Sequence, residues 1–284
     1  MTQQQSALLQ RLASHFKDQP LSLTPLHGGD INRTYKLQAD SDVFCLKFNE
    51  HCPADFFHAE AHGLSQLQTH SPLQAPSVII AEADFLVLEY INPAPRSKDY
   101  WRALAEGLAK QHTSTSGNFG LSRNNYCGLT PQPNKMMNNG YDFFCEMRLG
   151  YQTRMAYDAG RLSSAVKNKL DKLMNNIDAV IPAQPASLLH GDLWSGNIHS
   201  NSIGEPVLID PAVYFGWRET DLAMTHLFGG FGEEFYEAYQ EIYPMDDDWR
   251  SRLRLYNLYH LLNHLNLFGE SYLPQVEQIV KRFT

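Results

Sequence analysis

No apolar run in this chain approaches the ~20 residues that a membrane-spanning helix requires, so no membrane span is expected. Cationic excess is missing as well: 23 Lys and Arg stand against 31 Asp and Glu, for a formal net charge of −8, and no local basic patch interrupts that balance. A surface of this kind repels phosphate backbones, which excludes nucleic acid as the expected partner. Cysteine is sparse. Cys45, Cys52, Cys127 and Cys145 are unevenly spaced, with no Cys-x-x-Cys pair and no histidine at metal-ligand spacing. Neither a zinc site nor a disulfide framework is indicated, and reduced thiols are expected. The segment Met1 to Ala7 is polar and uncharged, without the basic start and apolar stretch of a signal peptide, which points to a cytoplasmic protein. No internal repeat or low-complexity tract is evident.

What is present is an ordinary globular composition. The chain has 284 residues, 43% of them hydrophobic, 12% aromatic and 19% charged, enough for one large domain or two lobes and unlike a disordered polymer. Residues 6 to 16, SALLQRLASHF, carry apolar positions at helical spacing. From Leu21 to Glu50 the period shortens to two, interrupted by Gly28 and Gly29, with VFCLKF (Val43 to Phe48) as a strong strand signal. Pro53 then opens a helix through DFFHAEAHGLSQLQ, and strands are expected at Ser77 to Ala81 and Phe85 to Ile91. NPAPRS, Asn92 to Ser97, holds two prolines and no apolar period, and reads as a short, stiff connector. Residues 1–91 are therefore expected to form a small β-rich N-terminal lobe, 92–97 the hinge and 98–284 a larger, mainly helical C-terminal lobe. Helices are predicted in the second lobe at Tyr100 to His112, Tyr141 to Asp158, Ser163 to Ile181, Glu219 to Phe228, Glu233 to Ile242, Trp249 to Phe268 and Leu273 to Phe283. Residues 114 to 140, rich in Ser, Asn, Gly and Pro, read as a long loop of the functional kind.

Chemistry concentrates in SLLHGDLWSGNIHS, Ser187 to Ser200, which sets His190, Asp192 and Asn197 in one tight segment. PVLIDPAVYFG then places Asp210 at the end of the apolar run Val207, Leu208 and Ile209. Phosphoryl transfer from ATP needs a carboxylate near the acceptor hydroxyl, oxygen ligands for Mg²⁺, a cation on the phosphates and a cover over them. The sequence offers one candidate for each need: Asp192 for the hydroxyl, Asn197 and Asp210 for the metal, Lys47 held by Glu60 for the phosphates, and Gly28 with Gly29 for the cover. Each has a plainer reading. An Asp after His-Gly often forms a turn, a strand lysine often lines a solvated edge, and Glu60 competes with nearby Glu50. His190 reads as a buried hydrogen-bonding brace and Asp221 as the cap of a helix. Trp194, two residues beyond Asp192, can stack on a sugar face or pack in a core.

HGDLWSGN, LIDPAVYFGWRETDLAM and HLFGGFGEEFYEAYQEIYP resemble the fructosamine kinase (ketosamine-3-kinase) family, a branch of the aminoglycoside phosphotransferase and protein kinase-like fold. GGDIN, FFHAEAHGL, FLVLEYI, NFGLSRNNYCGLTPQPN, YDFFCEMRLGYQTRMA and LYHLLNHLNLFG extend the resemblance over nearly the whole chain. It implies an α+β, two-lobed protein kinase-like fold with ATP and Mg²⁺ in the cleft. It implies Asp192 as catalytic base, Asn197 and Asp210 as Mg²⁺ ligands, Lys47 with Glu60 as the phosphate-positioning ion pair, and the backbone of Glu89 and Ile91 as the adenine contact. Asp221 becomes a brace of the catalytic loop, and His264 a substrate-pocket residue. The implied reaction phosphorylates the 3-hydroxyl of fructosamines or related ketosamines on glycated amines, giving a product that decomposes and releases the amine.

Some positions depart from the family pattern. Asp30 follows Gly29, so the glycine loop is not a full G-x-G-x-x-G, and Asp30 also stands where some relatives carry a cysteine. Tyr141 and Met147 replace residues common in relatives, away from the assigned catalytic groups. Three rival readings use the same residues. An aminoglycoside-type phosphotransferase would differ in its acceptor pocket; a protein kinase would need Asp-Phe-Gly, whereas Asp210 is followed by Pro211 and Ala212. A pseudokinase would have lost a metal ligand or the strand lysine, and neither is lost.

Overall fold

Two-residue alternation resolves into a sheet with both faces covered. The computed structural model describes residues 3–17, 19–26, 31–229 and 231–283. Helix α1 (Gln3–Ala13) precedes strands β1 (Leu21–Pro25), β2 (Arg33–Ala39) and β3 (Asp42–Phe48); helix α2 (Phe56–His70) intervenes before β4 (Val78–Ala81) and β5 (Phe85–Glu89). The five strands pair antiparallel in the order β1-β2-β3-β5-β4. Side chains alternate across the sheet. Tyr35, Leu37, Leu46, Phe48, Phe85 and Val87 pack with Leu8 and Leu12 of α1 in one core, while Leu86 and Leu88 pack with Phe56, Phe57, Leu64 and Leu67 of α2 in another. The α2 core is continuous with the hydrophobic interior of the rest of the chain, so α2 serves both parts.

After Glu89 the chain runs without regular structure to helix α3 (Tyr100–His112). The proline-containing connector is pinned on the way: Ser97 N–H donates to Gly204 O at 3.0 Å, and Ser200 Oγ to Ala94 O. Arg96 lies over the rings of Tyr100 and Trp101.

The stretch 114–140 is more ordered than its composition suggests. It contains β6 (Thr115–Ser116) and a hairpin of β7 (Asn125–Cys127) and β8 (Thr130–Gln132), with Asn125, Gln132 and Asn134 buried. Their amides satisfy backbone groups of neighbouring loops, which is why a polar segment can lie inside.

The single helix predicted from Tyr141 to Asp158 is broken into α4 (Gly140–Phe143), a π-helical stretch over Phe144–Gly150, and α5 (Tyr151–Asp158). The wider turn swings Arg148 wholly inside, where it donates to Pro133 O at 2.7 Å and Asn134 Oδ1 at 2.6 Å and sits 3.8 Å from the Tyr214 ring centroid. Gly150 permits that turn, since a Cβ there would lie 2.6 Å from Cys145 O. The helix predicted from Ser163 to Ile181 is also shorter. Ser163 is its cap, accepting from Val166 N–H, and α6 (Ser164–Met174) stops before a separate turn at Ile177–Ala179.

Short strands β9 (Ala186–Leu189), β10 (Ile198–Ser200), β11 (Pro206–Leu208) and β12 (Tyr214–Gly216) follow, paired as β12-β9-β6 and β10-β11. Helices α7 (Glu219–Leu227), α8 (Glu233–Ile242), α9 (Trp249–Phe268) and α10 (Leu273–Phe283) complete the chain. Helix α9 packs against α5, α7 and α10 and is largely buried, its polar Arg252, Asn257, His260 and Asn263 included. Among the described residues no helix is long and apolar enough to cross a membrane.

Candidate active site

Two loops converge where β9 and β11 end. The first runs from His190 to Asn197, and its tight start depends on Gly191, whose φ of +84° and whose absent Cβ, which would lie 2.0 Å from Ala212 O, leave no room for a side chain. Asp221, at the start of α7, accepts from the backbone N–H groups of His190 at 2.7 Å and Gly191 at 2.9 Å, and so braces the loop. His190 is fully buried: Asp192 N–H donates to its Nδ1 at 3.3 Å, and its Nε2–H donates to Ile209 O at 2.9 Å. Those two bonds fix a neutral tautomer and use both nitrogens, so His190 is a brace between the two loops.

The second loop carries Asp210, held at φ +53° in the left-handed region, a conformation that Asp tolerates better than most residues. Backbone bonds zip the loops together, Ile209 N–H to Asn197 O at 3.1 Å and Ala212 N–H to His190 O at 2.9 Å. The β7–β8 hairpin clamps the far side: Asn125 Nδ2 donates to Val213 O at 2.8 Å and Gln132 Nε2 to Ala212 O at 3.1 Å.

This scaffold gathers side chains that lie far apart in sequence. Asn197 Nδ2 donates to Asp192 O at 2.8 Å and to Asp192 Oδ2 at 3.1 Å. Lys47, buried on β3, donates to Glu60 Oε1 of α2 at 2.5 Å and to Asp210 Oδ1 in direct contact. Burial alone would favour neutral lysine, but the adjacent Asp210 and Glu60 carboxylates outweigh it and hold the ammonium well above its ordinary range. Asp192 moves the other way. Burial, then the like charge of Asp210, push its carboxyl up to about 7, against the opposing Asn197 hydrogen bond.

Asn197 spends its amide nitrogen on Asp192, so that its amide oxygen and the Asp210 carboxylate are the lone-pair groups these two residues offer a cation. A hard-oxygen pair of this type suits Mg²⁺. At the end of β5, Glu89 N–H donates to Ser77 O at 2.8 Å and its side chain accepts from Ser77 N–H at 3.1 Å; half-buried Ile91 follows in the connector. Gly28 and Gly29 lie outside the described residues.

Trp194 stands 37% exposed beyond Asp192, edge-on to Phe228 at 6.2 Å. Phe228 in turn meets His264 at 4.9 Å, and His264 meets Phe268 and Tyr272. Trp194 and His264 are thus joined in one partly exposed aromatic wall through Phe228, a residue that sequence reasoning did not single out. His264 donates from Nδ1–H to His260 O at 2.7 Å, leaving Nε2 as an acceptor, and burial lowers its proton affinity. Sequence spacing also carried no sign of Asn125 and Gln132, or of Cys127 and His260 close to Asp192.

A protein named "Probable ketoamine kinase" in Enterococcus faecium is 38% identical over 265 residues, covering 91% of this chain and 94% of its own. A structure described as a "putative fructosamine-3-kinase" from Thermobifida fusca superposes with a TM-score of 0.85 at 27% identity, over 96% of both chains. An aminoglycoside phosphotransferase aligns with a TM-score of 0.65 over 99% of each chain at 16% identity, a likeness of fold alone, which makes this an α+β, two-lobed kinase-like architecture. With residues 1–284 matching the family described as fructosamine kinase, the chain belongs to the fructosamine kinase family.

Proposed function

We propose that the chain is an ATP-dependent kinase that transfers the γ-phosphoryl group to the 3-hydroxyl of a fructosamine- or ribulosamine-type ketosamine, in the service of deglycation. The observation that carries this reading is the convergence of Asp192, Asn197, Asp210, Lys47 and Glu60 on one spot, supported by the names of the relatives.

In this reading ATP lies between residues 1–91 and 98–284, with 92–97 as the connector, its adenine against the backbone of Glu89 and Ile91 and its phosphates under Gly28 and Gly29. Lys47, fixed by Glu60, sets its ammonium on the phosphates. Asn197 and Asp210 hold Mg²⁺, which supplies charge neutralisation as the phosphoryl group transfers. Asp192 accepts the proton of the acceptor hydroxyl, and its raised proton affinity, at about 7, suits it to that task. Asn197, bonded to the same carboxylate, keeps it aimed. The wall of Trp194, Phe228 and His264 packs against the apolar face of the sugar, with His264 Nε2 accepting from a hydroxyl. Positioning and electrostatics supply most of the rate. A cytoplasmic setting fits the four free cysteines.

The test is ATP consumption with Mg²⁺ on a synthetic fructosamine and a ribulosamine, with kanamycin as comparator and Asp192→Ala as control. Turnover on a ketosamine, absent in the variant, is expected. Turnover on kanamycin alone would move the chain to the antibiotic phosphotransferases, and failure to bind MgATP would make it a non-catalytic relative.

A further inference from the structure

Deep beside the catalytic loop lies a histidine with nothing to bond. His260 of α9 is 1% exposed, and neither Nδ1 nor Nε2 has a hydrogen-bond partner. Interior polar atoms of this kind are rare and unfavourable unless something fills the space between them and a neighbour. The neighbours are Cys127, from β7, and Asp192: one ligand atom from each of the three residues lies within 4.8 Å of the other two. Three separate elements therefore present a thiol, an imidazole and a carboxylate to a common point.

That donor set has a definite chemical preference. Mg²⁺ seeks oxygen in octahedral array, whereas sulfur and imidazole nitrogen select Zn²⁺ and its relatives. Three protein ligands with a fourth position left open is the arrangement of an accessible zinc site. The observed limit of 4.8 Å is about an ångström wider than tetrahedral zinc ligands stand, so small rotations of the three side chains close it. Cys127 is held by Asn263 Nδ2, which approaches its Sγ at 3.3 Å and its carbonyl at 3.1 Å. Asp192 is only partly buried and gives the ion a way in.

We propose that Cys127, His260 and Asp192 form a Zn²⁺ site, distinct from the Mg²⁺ ligands Asn197 and Asp210, and that its occupation silences the kinase. On binding, three coordinate bonds form and the Cys127 thiol gives its proton to solvent; thiolate and carboxylate together balance the dication. The Asp192 lone pair is then committed to the ion and unable to accept the proton of an incoming hydroxyl. Burial, followed by the charge of Asp192, keeps the Cys127 thiol protonated without a metal, which removes it as a free nucleophile. The inhibitory consequence rests on Asp192 being the base, whereas the binding does not.

Cobalt spectroscopy tests the binding and turnover tests the consequence. Wild-type protein titrated with Co²⁺ is expected to develop a near-ultraviolet thiolate-to-cobalt charge-transfer band with tetrahedral visible bands, all discharged by Zn²⁺. Cys127→Ser removes the charge-transfer band, and His260→Phe, which keeps the volume, weakens cobalt binding. With MgATP in excess, zinc inhibition of ketosamine phosphorylation is expected to weaken at least about tenfold in both variants while turnover without zinc persists. Two variants are used so that misfolding of one leaves the other to decide. Absence of the band, or a band that survives Cys127→Ser, overturns the site. Zinc inhibition of equal strength in wild type and both variants overturns its link to catalysis, since the ion would then act at the Mg²⁺ ligands or on ATP. Should no ketosamine be turned over, the cobalt titration still decides the site.

Discussion

Lys47 is the residue on which the two parts of the chain meet most directly, because its ammonium bridges a carboxylate on α2 and one on the loop after β11. The Glu60 side chain is 11% exposed, so deleting the lysine strands a carboxylate with little water to replace its partner. Lys47→Met is expected to abolish turnover and to cost about 3–5 kcal/mol of stability, the usual penalty for breaking one side of a buried pair. Removing the lysine together with its buried partner, in Lys47→Met with Glu60→Met, is expected to restore most of that stability and none of the activity, since the Asp210 side chain left behind is 42% exposed. Urea unfolding and ATP consumption on the same three proteins separate the two effects. A double variant no more stable than the single one would show that the charge pair is not what Lys47 secures. The lysine itself was legible because it interrupts an apolar strand. Its second partner, Asp210, was legible only as a metal ligand, since no sequence period links a strand near the start to a loop near residue 210.

At the scale of elements, what could be read depended on length. Strands β2, β3 and β5 and helices α3, α8 and α10 are long enough to repeat a period, and their sequences announce them. Strands of two to four residues, from β6 to β12, carry too little period to be read, although they position the loops that carry Asp192 and Asp210. The β7–β8 hairpin shows the cost of that blindness. A polar stretch that reads as a solvent loop is an internal clamp, in which Tyr259 donates to Gln132 Oε1 at 2.6 Å and Gln132 donates to Asn125 at 2.8 Å and Ala212 O at 3.1 Å. Gln132→Leu preserves bulk but orphans those groups. A loss of about 1–3 kcal/mol per stranded group is expected on urea unfolding. Because Ala212 lies two residues after Asp210, kcat is expected to fall more than the KM for MgATP rises. An unaltered kcat in a destabilised variant would reduce the hairpin to scaffolding.

At the scale of the whole molecule, a buried polar chain ties helices α3, α7 and α8 to the loop that carries Asp192. His112 ends α3, Tyr239 sits on α8 and Asp221 begins α7; Tyr239 OH donates to His112 Nδ1 at 2.8 Å, and His112 Nε2–H donates to Asp221 at 3.2 Å. The chain works only with neutral imidazole, and burial, partly offset by Asp221, holds the proton affinity of His112 below its ordinary value. Asp221 is depressed too: burial opposes its ionised form, but the hydrogen bond from His112 leads a set of favourable contacts that outweigh it. The two shifts act in different pH windows. Unfolded histidine takes up a proton below about pH 6.5, where folded His112 does not, so stability falls as pH drops from there towards the folded value. Asp221 contributes fully above about pH 4 and loses its contribution only below it. Below about pH 6.5 His112 is therefore expected to account for a decline of at most about 1.4 kcal/mol per pH unit, which ends as pH passes its lowered folded value. His112→Asn keeps a small polar group in place but cannot take up the proton, and its stability is expected to fall with pH less steeply by that amount. Denaturant unfolding of both proteins at several pH values across the window measures the difference in slope. Identical slopes would mean that His112 is protonated in the folded state as well. A shallower slope would show that acid weakens the junction of α3, α7 and α8 from which Asp221 holds the backbone of His190 and Gly191.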